Sequence, residues 1–195
     1  MSGYTLLKER ASSLNAKKKW YRHLAQRASV CLIMEDRPDI GPAVLMIERA
    51  ESEGDPWSGQ MAFPGGKLDC DDDHITQAAL RELDEELGIP HGKVIRIGRL
   101  SDVLARPYRI NHKPMVVSPI LCEATEALDL HPNEEVADVI WVPLSLFMDV
   151  SNRQIMSWQK NTNTIELPCY FYQGKRIWGL SLMMIDELIS AVTSI

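Results

Sequence analysis

At 195 residues, with 45% apolar and 25% charged residues, the chain has the composition of one globular domain that can bury a core, not of a disordered or fibrous polymer. Its formal net charge of −6 argues against a general nucleic-acid binder, which needs a basic face, but leaves room for a small anionic substrate because a bound cation reverses the local sign. No apolar run approaches the ~18 residues needed to span a bilayer, and the N-terminus lacks the apolar stretch of a secretion signal, so a soluble cytoplasmic protein with no membrane partner is expected.

In chain order, residues 1–26 carry many charges among scattered apolar positions and predict a helical extension ahead of the domain. Arg27–Asp36 and Pro42–Ala50 are short apolar runs bounded by turn residues, which predicts two strands joined near Asp39-Ile40-Gly41. A polar loop with Gly, Pro and Trp57 follows, leading into Phe63-Pro64-Gly65-Gly66. Ile75, Ala78, Ala79, Leu83 and Leu87 recur at helical spacing, Gly88 supplies the C-terminal cap, and Pro90 stands just beyond. Strands are expected over 94–105, 114–124 and 137–144, then a short helix over 144–150 and a hairpin turned at Gln173-Gly174. A closing amphipathic helix is expected over 181–192. Mixed strands with a central and a terminal helix make one α+β domain spanning 1–195. Of the four cysteines, Cys31, Cys122 and Cys169 sit in apolar, strand-like surroundings as buried thiols, and none has a partner at metal-ligand spacing.

The central helix is acidic on one side. Residues three and four apart share a helix face, so Glu82, Glu85 and Glu86 are neighbours while Leu83 and Leu87 turn to the core. Like charges so placed repel, and near a helix C-terminus they also oppose the dipole. Either surface cations and solvent balance this face, or a hard cation such as Mg²⁺ or Mn²⁺ is held by its oxygens. Arg81 is spaced to pair with Asp84 or Glu85 and so to orient the acids.

The run Arg81-Glu82-Leu83-Asp84-Glu85-Glu86-Leu87-Gly88-Ile89, with Gly65-Gly66 ahead of it, resembles the signature of the Nudix hydrolases, here spanning 65–89. The loop before the helix is one residue longer than that pattern, and Asp72 or Asp73 stands where its lone glutamate would fall. The resemblance implies a mixed sheet between helices, an α/β/α sandwich with the signature as loop-helix-loop. It implies cleavage of a nucleoside diphosphate derivative by water with Mg²⁺ or Mn²⁺. It carries Glu82 and Glu86 over as metal ligands, with Glu85 a third ligand or the base. A further glutamate from outside the helix, Glu134 or Glu135, would complete the site. The glycines Gly65 and Gly66 and the cations Arg49 and Lys67 are the expected substrate contacts.

Upstream, Arg49, Gly59 and Phe63-Pro64-Gly65-Gly66 resemble the element that marks the coenzyme A-cleaving branch, although its internal Arg is absent and Asp55 lies near that place. This implies coenzyme A or a derivative as substrate, cut to 3′,5′-ADP and a 4′-phosphopantetheine product. A cation for the 3′-phosphate would come from Arg49, Lys67, Arg106, Arg109 or Lys113, and Trp57 either stacks on an adenine or packs on the domain. Two alternatives remain open: the same chemistry on ADP-ribose, a dinucleotide or a nucleoside triphosphate, and a non-catalytic nucleotide-binding regulator. The apolar face of the first or last helix either packs on the sheet or forms a homodimer contact.

Overall fold

Alternation along two neighbouring strands decides which helix covers which face of the sheet. In β1 (Gln26–Arg37) and β2 (Gly41–Arg49), Cys31, Ile33, Leu45 and Ile47 point to one side. Leu32, Met34, Val44 and Met46 point to the other. Because side chains alternate with period two, each strand feeds two separate cores. The computed structural model describes residues 3–105, 114–160 and 163–193 of the chain.

The first core belongs to α2 (Ile75–Leu87), whose Ala79, Leu83 and Leu87 are fully buried against β1 and β2. Each of those leucines contributes about 1.5–3 kcal/mol by leaving water. The helix is capped at both ends: His74 accepts from the Gln77 N–H, and Gly88 turns left-handed with φ of 66°. On the opposite face lie α1 (Gly3–Ser12), which buries Tyr4, Leu7 and Ala11, and α4 (Gly179–Thr193), which buries Leu182, Ile185 and Leu188. The Arg10 guanidinium donates to the Val192 carbonyl at 2.7 Å, joining the first helix to the last. The expected sandwich of helices around a mixed sheet is therefore what the chain forms.

Within the sheet, β1 runs antiparallel to β2 and parallel to β7 (Met115–Ala124). A two-residue strand, β3 (Met61–Ala62), pairs with β2. A three-residue strand, β4 (Gly65–Lys67), pairs with β1 through Ala28↔Lys67, Ser29↔Gly66 and Val30↔Gly65. Two short strands, β5 (Val94–Arg99) and β6 (Val103–Ala105), flank β7, and β8 (Val136–Pro143) flanks β2. A second, three-stranded sheet follows the short helix α3 (Ser145–Met148) and consists of β9 (Gln154–Lys160), β10 (Asn163–Tyr172) and β11 (Lys175–Trp178). Lys175 ties it to the main sheet by ion pairs to Glu48 and Asp138. Among the described residues no helix is long and apolar enough to cross a membrane.

The N-terminal extension departs from expectation. It is not one helix over residues 1–26: α1 stops at Ser12, and only a 3-10 turn, Trp20–Leu24, follows before β1. Backbone groups that a continuous helix would use are taken by other partners. The Lys17 N–H donates to the Ser101 hydroxyl, the Lys19 N–H to Asp102 Oδ2, and the Asp102 N–H to the Lys17 carbonyl. The same contacts break the strand expected over 94–105 into β5 and β6, because Asp102 turns inward. Its carboxylate, fully buried, also accepts the Ser118 hydroxyl and pairs with Arg99.

Candidate active site

Two glycines bring the backbone up to the acidic helix. Gly65 lies so close to β1 that an added Cβ would overlap the Ser29 carbonyl oxygen and stand 2.5 Å from Val30 Cα, and its φ of +148° suits glycine alone. A Cβ on Gly66 would fall on the Glu82 carboxylate. The strand β4 thus presses against β1 on one side and receives the α2 carboxylates on the other.

Those carboxylates do not share one environment. Glu86 is 2% exposed, and its Oε2 accepts the Gly65 N–H at 2.8 Å. Arg49 Nη1 stands 3.9 Å from Glu86 Oε1, while the rest of that guanidinium is held by Asp55 at 2.9 Å. Burial drives the Glu86 pKa up to about 7, the Gly65 N–H and Arg49 only partly oppose it, and the charges of Glu82 and Glu135 add to the rise. Glu82 is raised as well, first by burial, then by Glu85 and Glu135, against the pull of Arg81. Glu135 itself is exposed and stands in a loop clamped to the end of α2: the Asn133 N–H donates to the Glu86 carbonyl and the Ala50 N–H to the Glu135 carbonyl. Of the two glutamates suggested by the sequence, Glu135 is therefore the one whose charge acts on Glu82 and Glu86; Glu134 is exposed beside it.

Arg81 organises the outer side. Its guanidinium meets Glu82 Oε1 at 3.0 Å, Glu85 Oε2 at 2.9 Å and Asp72 Oδ2 at 3.2 Å, and donates to the Lys67 carbonyl at 3.1 Å. Burial opposes its charge, but Asp72 and Glu82 outweigh that and raise its pKa. For Asp72, burial is likewise outweighed by the Asp69 N–H and Arg81, which hold the acid below its ordinary range. Asp72, not Asp73, is thus the loop acid bound to the helix; the Asp73 backbone turns to Gln77 instead. Glu85 is exposed and spent on Arg81, so it stands apart from Glu86, and Lys67 contributes its carbonyl while its side chain is exposed. Trp57 packs against the core on the α1 and α4 side. Arg106, Arg109 and Lys113 lie outside the described residues.

A divalent cation suits part of this arrangement. Glu82 and Glu86 bring hard oxygen donors to one strand, and burial raises the pKa of both despite Arg81 beside Glu82 and Arg49 beside Glu86. Among the described residues no three acidic, histidine or cysteine side chains converge as a ready-made ligand set, since Glu82 and Glu85 both turn to Arg81. Sequence reasoning missed the hold of Asp55 on Arg49. The only available signal was an opposite charge six residues on, across a loop bent by Gly54 and Pro56.

Residues 24–159 match the family profile described as the NUDIX domain. The chain is 34% identical over 149 residues to an uncharacterized Nudix hydrolase, NudL, of Photorhabdus laumondii, covering 76% of each chain. It is 30% identical over 169 residues to NudL of Yersinia pestis, covering 86% of this chain and 80% of the relative. Among solved structures, a MutT/nudix family protein from Enterococcus faecalis superposes with a TM-score of 0.54 at 16% identity, covering 98% of this chain and 68% of that one. A NUDIX hydrolase from Alicyclobacillus acidocaldarius gives 0.51 at 17% identity, covering 64% and 81%. At these identities the two structures speak to the fold alone.

Proposed function

This chain belongs to the Nudix family, and on that premise we propose that it is a metal-dependent pyrophosphohydrolase that cuts coenzyme A or a derivative into 3′,5′-ADP and a 4′-phosphopantetheine product. Nudix hydrolases act on phosphorus anhydrides of nucleotide-derived small molecules and generally use divalent metal ions. The finer reading rests on one observation: Arg49 and Gly65, from the element that resembles the coenzyme A branch, both reach Glu86 of the signature helix. The Arg49 contact in particular supports reading the two motifs as parts of one site.

In this reading Glu82 and Glu86 hold the cation, Mg²⁺ or Mn²⁺, with Glu135 as the further carboxylate at the rim. Bound there, the cation would neutralise charge on the pyrophosphate and lower the pKa of an attacking water. The residues of the chain do the rest. The Gly65 N–H and Arg49 fix the Glu86 carboxylate in place, and Arg81 fixes Glu82. Glu135, exposed at the rim, would accept the proton as water adds to one phosphorus and the bond from that phosphorus to the bridging oxygen breaks. Glu85 supports the helix through Arg81.

A substrate panel with Mg²⁺ or Mn²⁺ tests this. Wild type is expected to hydrolyse coenzyme A faster than ADP-ribose or deoxynucleoside triphosphates, and Glu86→Gln to lose about 10²-fold or more in kcat/KM. Faster hydrolysis of ADP-ribose or a triphosphate would replace the substrate assignment; full activity in Glu86→Gln would overturn the metal site.

A further inference from the structure

The segment just ahead of β1 is basic in an acidic protein. Lys17, Lys18, Lys19 and Arg22 precede Arg27 at the start of the strand, and none of the five side chains forms an ion pair with a described residue. Trp20, in their midst, is 83% exposed, with the Tyr21 ring edge-on to it at 5.5 Å. Leu24, four residues on, is 82% exposed as well, so two large apolar side chains share this surface. The segment is nevertheless held firmly, because the backbone of Lys17 and Lys19 is bonded to Ser101 and Asp102.

Sheet register places this arm beside the active site. Across neighbouring strands, Val103 faces Val117, Val117 faces Ala28, and Ala28 faces Lys67. The arm starts at Asp102 beside β6 and ends at Gln26, whose N–H bonds the Pro114 carbonyl ahead of β7. It therefore crosses the end of the sheet from which the signature loop departs, where the Leu68 N–H bonds the Arg27 carbonyl. Gly66, against Glu82, is opposite Ser29, three residues up the strand from Gln26. At ~3.3 Å per residue, the Gln26 end of the arm lies ~10 Å along β1 from the position opposite Gly66, and at ~4.8 Å per strand the Asp102 end lies about 14 Å across the sheet from Lys67.

We propose that the arm is the subsite for the nucleotide end of the substrate, with Lys17, Lys18 and Arg22 taking a terminal phosphate monoester and Trp20 stacking on the base. This rests on the coenzyme A reading, whose substrate carries a monoester on the far side of its ribose. It also meets a need of the site, because Arg49 is already committed to Asp55 and Glu86. A small anion feels chiefly the local cations, screened over ~8–10 Å, whereas an extended anionic surface would meet the protein's net charge of −6. The arm lies almost wholly ahead of residues 24–159, the part matched to the family.

The test compares wild type, Trp20→Ala and the triple variant Lys17→Ala/Lys18→Ala/Arg22→Ala; Lys17, Lys18 and Trp20 are exposed and Arg22 is half-buried. Direct calorimetric binding of 3′,5′-ADP and of 5′-AMP needs no turnover. Wild type should bind 3′,5′-ADP roughly tenfold more tightly, the triple variant should lose that preference, and Trp20→Ala should weaken both ligands severalfold. In turnover assays the triple variant should raise KM for coenzyme A more than for its 3′-dephospho form. Equal binding of the two nucleotides by wild type, or an unchanged preference in the triple variant, overturns the subsite. Arm-dependent sedimentation with vesicles of anionic phospholipid, without any effect on nucleotide binding, would assign the arm to a membrane instead. Failure of wild type to hydrolyse coenzyme A, with the nucleotide preference intact, would sink the substrate reading and leave the arm standing.

Discussion

Replacing Gly65 by alanine tests how the site is built, because the two glycines of the signature resist a side chain for different reasons. At Gly65 the new Cβ would run into the Ser29 carbonyl and Val30 Cα, both backbone atoms of the central strand, and the φ of +148° adds strain. Neither obstacle can swing aside. A strained backbone costs about 1–3 kcal/mol and overpacking about 1–3 kcal/mol more, so a loss of about 4 kcal/mol is expected. In a domain of this size that lowers Tm by about 8–16 °C. At Gly66 the obstacle is the end of the Glu82 side chain, which can turn away. Gly66→Ala should therefore change stability by less than about 1 kcal/mol, yet cost about 10²-fold in kcat/KM by misplacing that carboxylate. Thermal melts and pyrophosphate-cleavage assays on both variants decide the matter. A Gly65→Ala protein that melts like wild type, or a Gly66→Ala protein with full activity, would refute the close packing of β4 between β1 and α2.

Asp102→Asn leaves the Arg99 guanidinium, 10% exposed, without its buried counter-charge; a loss of about 3 kcal/mol is expected, read as a Tm lower by about 6–12 °C. Arg81→Lys cannot serve Glu82, Glu85, Asp72 and the Lys67 carbonyl at once, since an ammonium lacks the planar fork; kcat/KM should fall roughly tenfold in the same assay. Lys175→Ala removes the ion pairs to Glu48 and Asp138, partly exposed, and should cost about 0.5–1 kcal/mol at neutral pH. Asp138 is held below its ordinary 3.8, chiefly by hydrogen bonding to Lys175, so the stabilisation is complete above that value. It disappears as pH falls through the depressed pKa. Urea titrations of wild type and variant should therefore differ at pH 7 and converge in acid, and a difference that grew as pH fell would contradict the pairing.

Where a segment's structure is set by its own residues, the sequence could be read directly. The α2 helix runs from Ile75 to Leu87 as its apolar spacing requires, and Gly88 caps it. Glu82, Glu86 and Arg81 could be found for the same reason, as helical spacing fixes their shared face. The misses lie where distant partners decide. Residues 13–19 resemble the helix before them, but Ser101 and Asp102, more than eighty positions away, claim their backbone. Nothing local marks Gly65–Lys67 as a strand, because two of its three residues are glycine; only its fit against Ser29 makes it one. The strand Gln154–Lys160 carries Met156 and Trp158 in alternation, a signal diluted by the polar residues between them. The Gly65 N–H on Glu86 was likewise out of reach, since it joins residues from different elements.

The parallel pairing of β1 with β7 also governs the order of events at the ribosome. Strand β1 emerges early and finds β2 and then β4 along one edge, yet β7, its parallel neighbour on the other edge, begins only at Met115. Until then one long edge of β1 has no parallel partner, and closing so large a loop delays that pairing, as non-local contacts do generally. The helix α1 waits longer still, because Arg10 finds its carbonyl partner at Val192, near the very end of the chain. A nascent chain stalled before β7 therefore presents half a sheet with an open edge, the form in which strands most readily pair with the wrong neighbour.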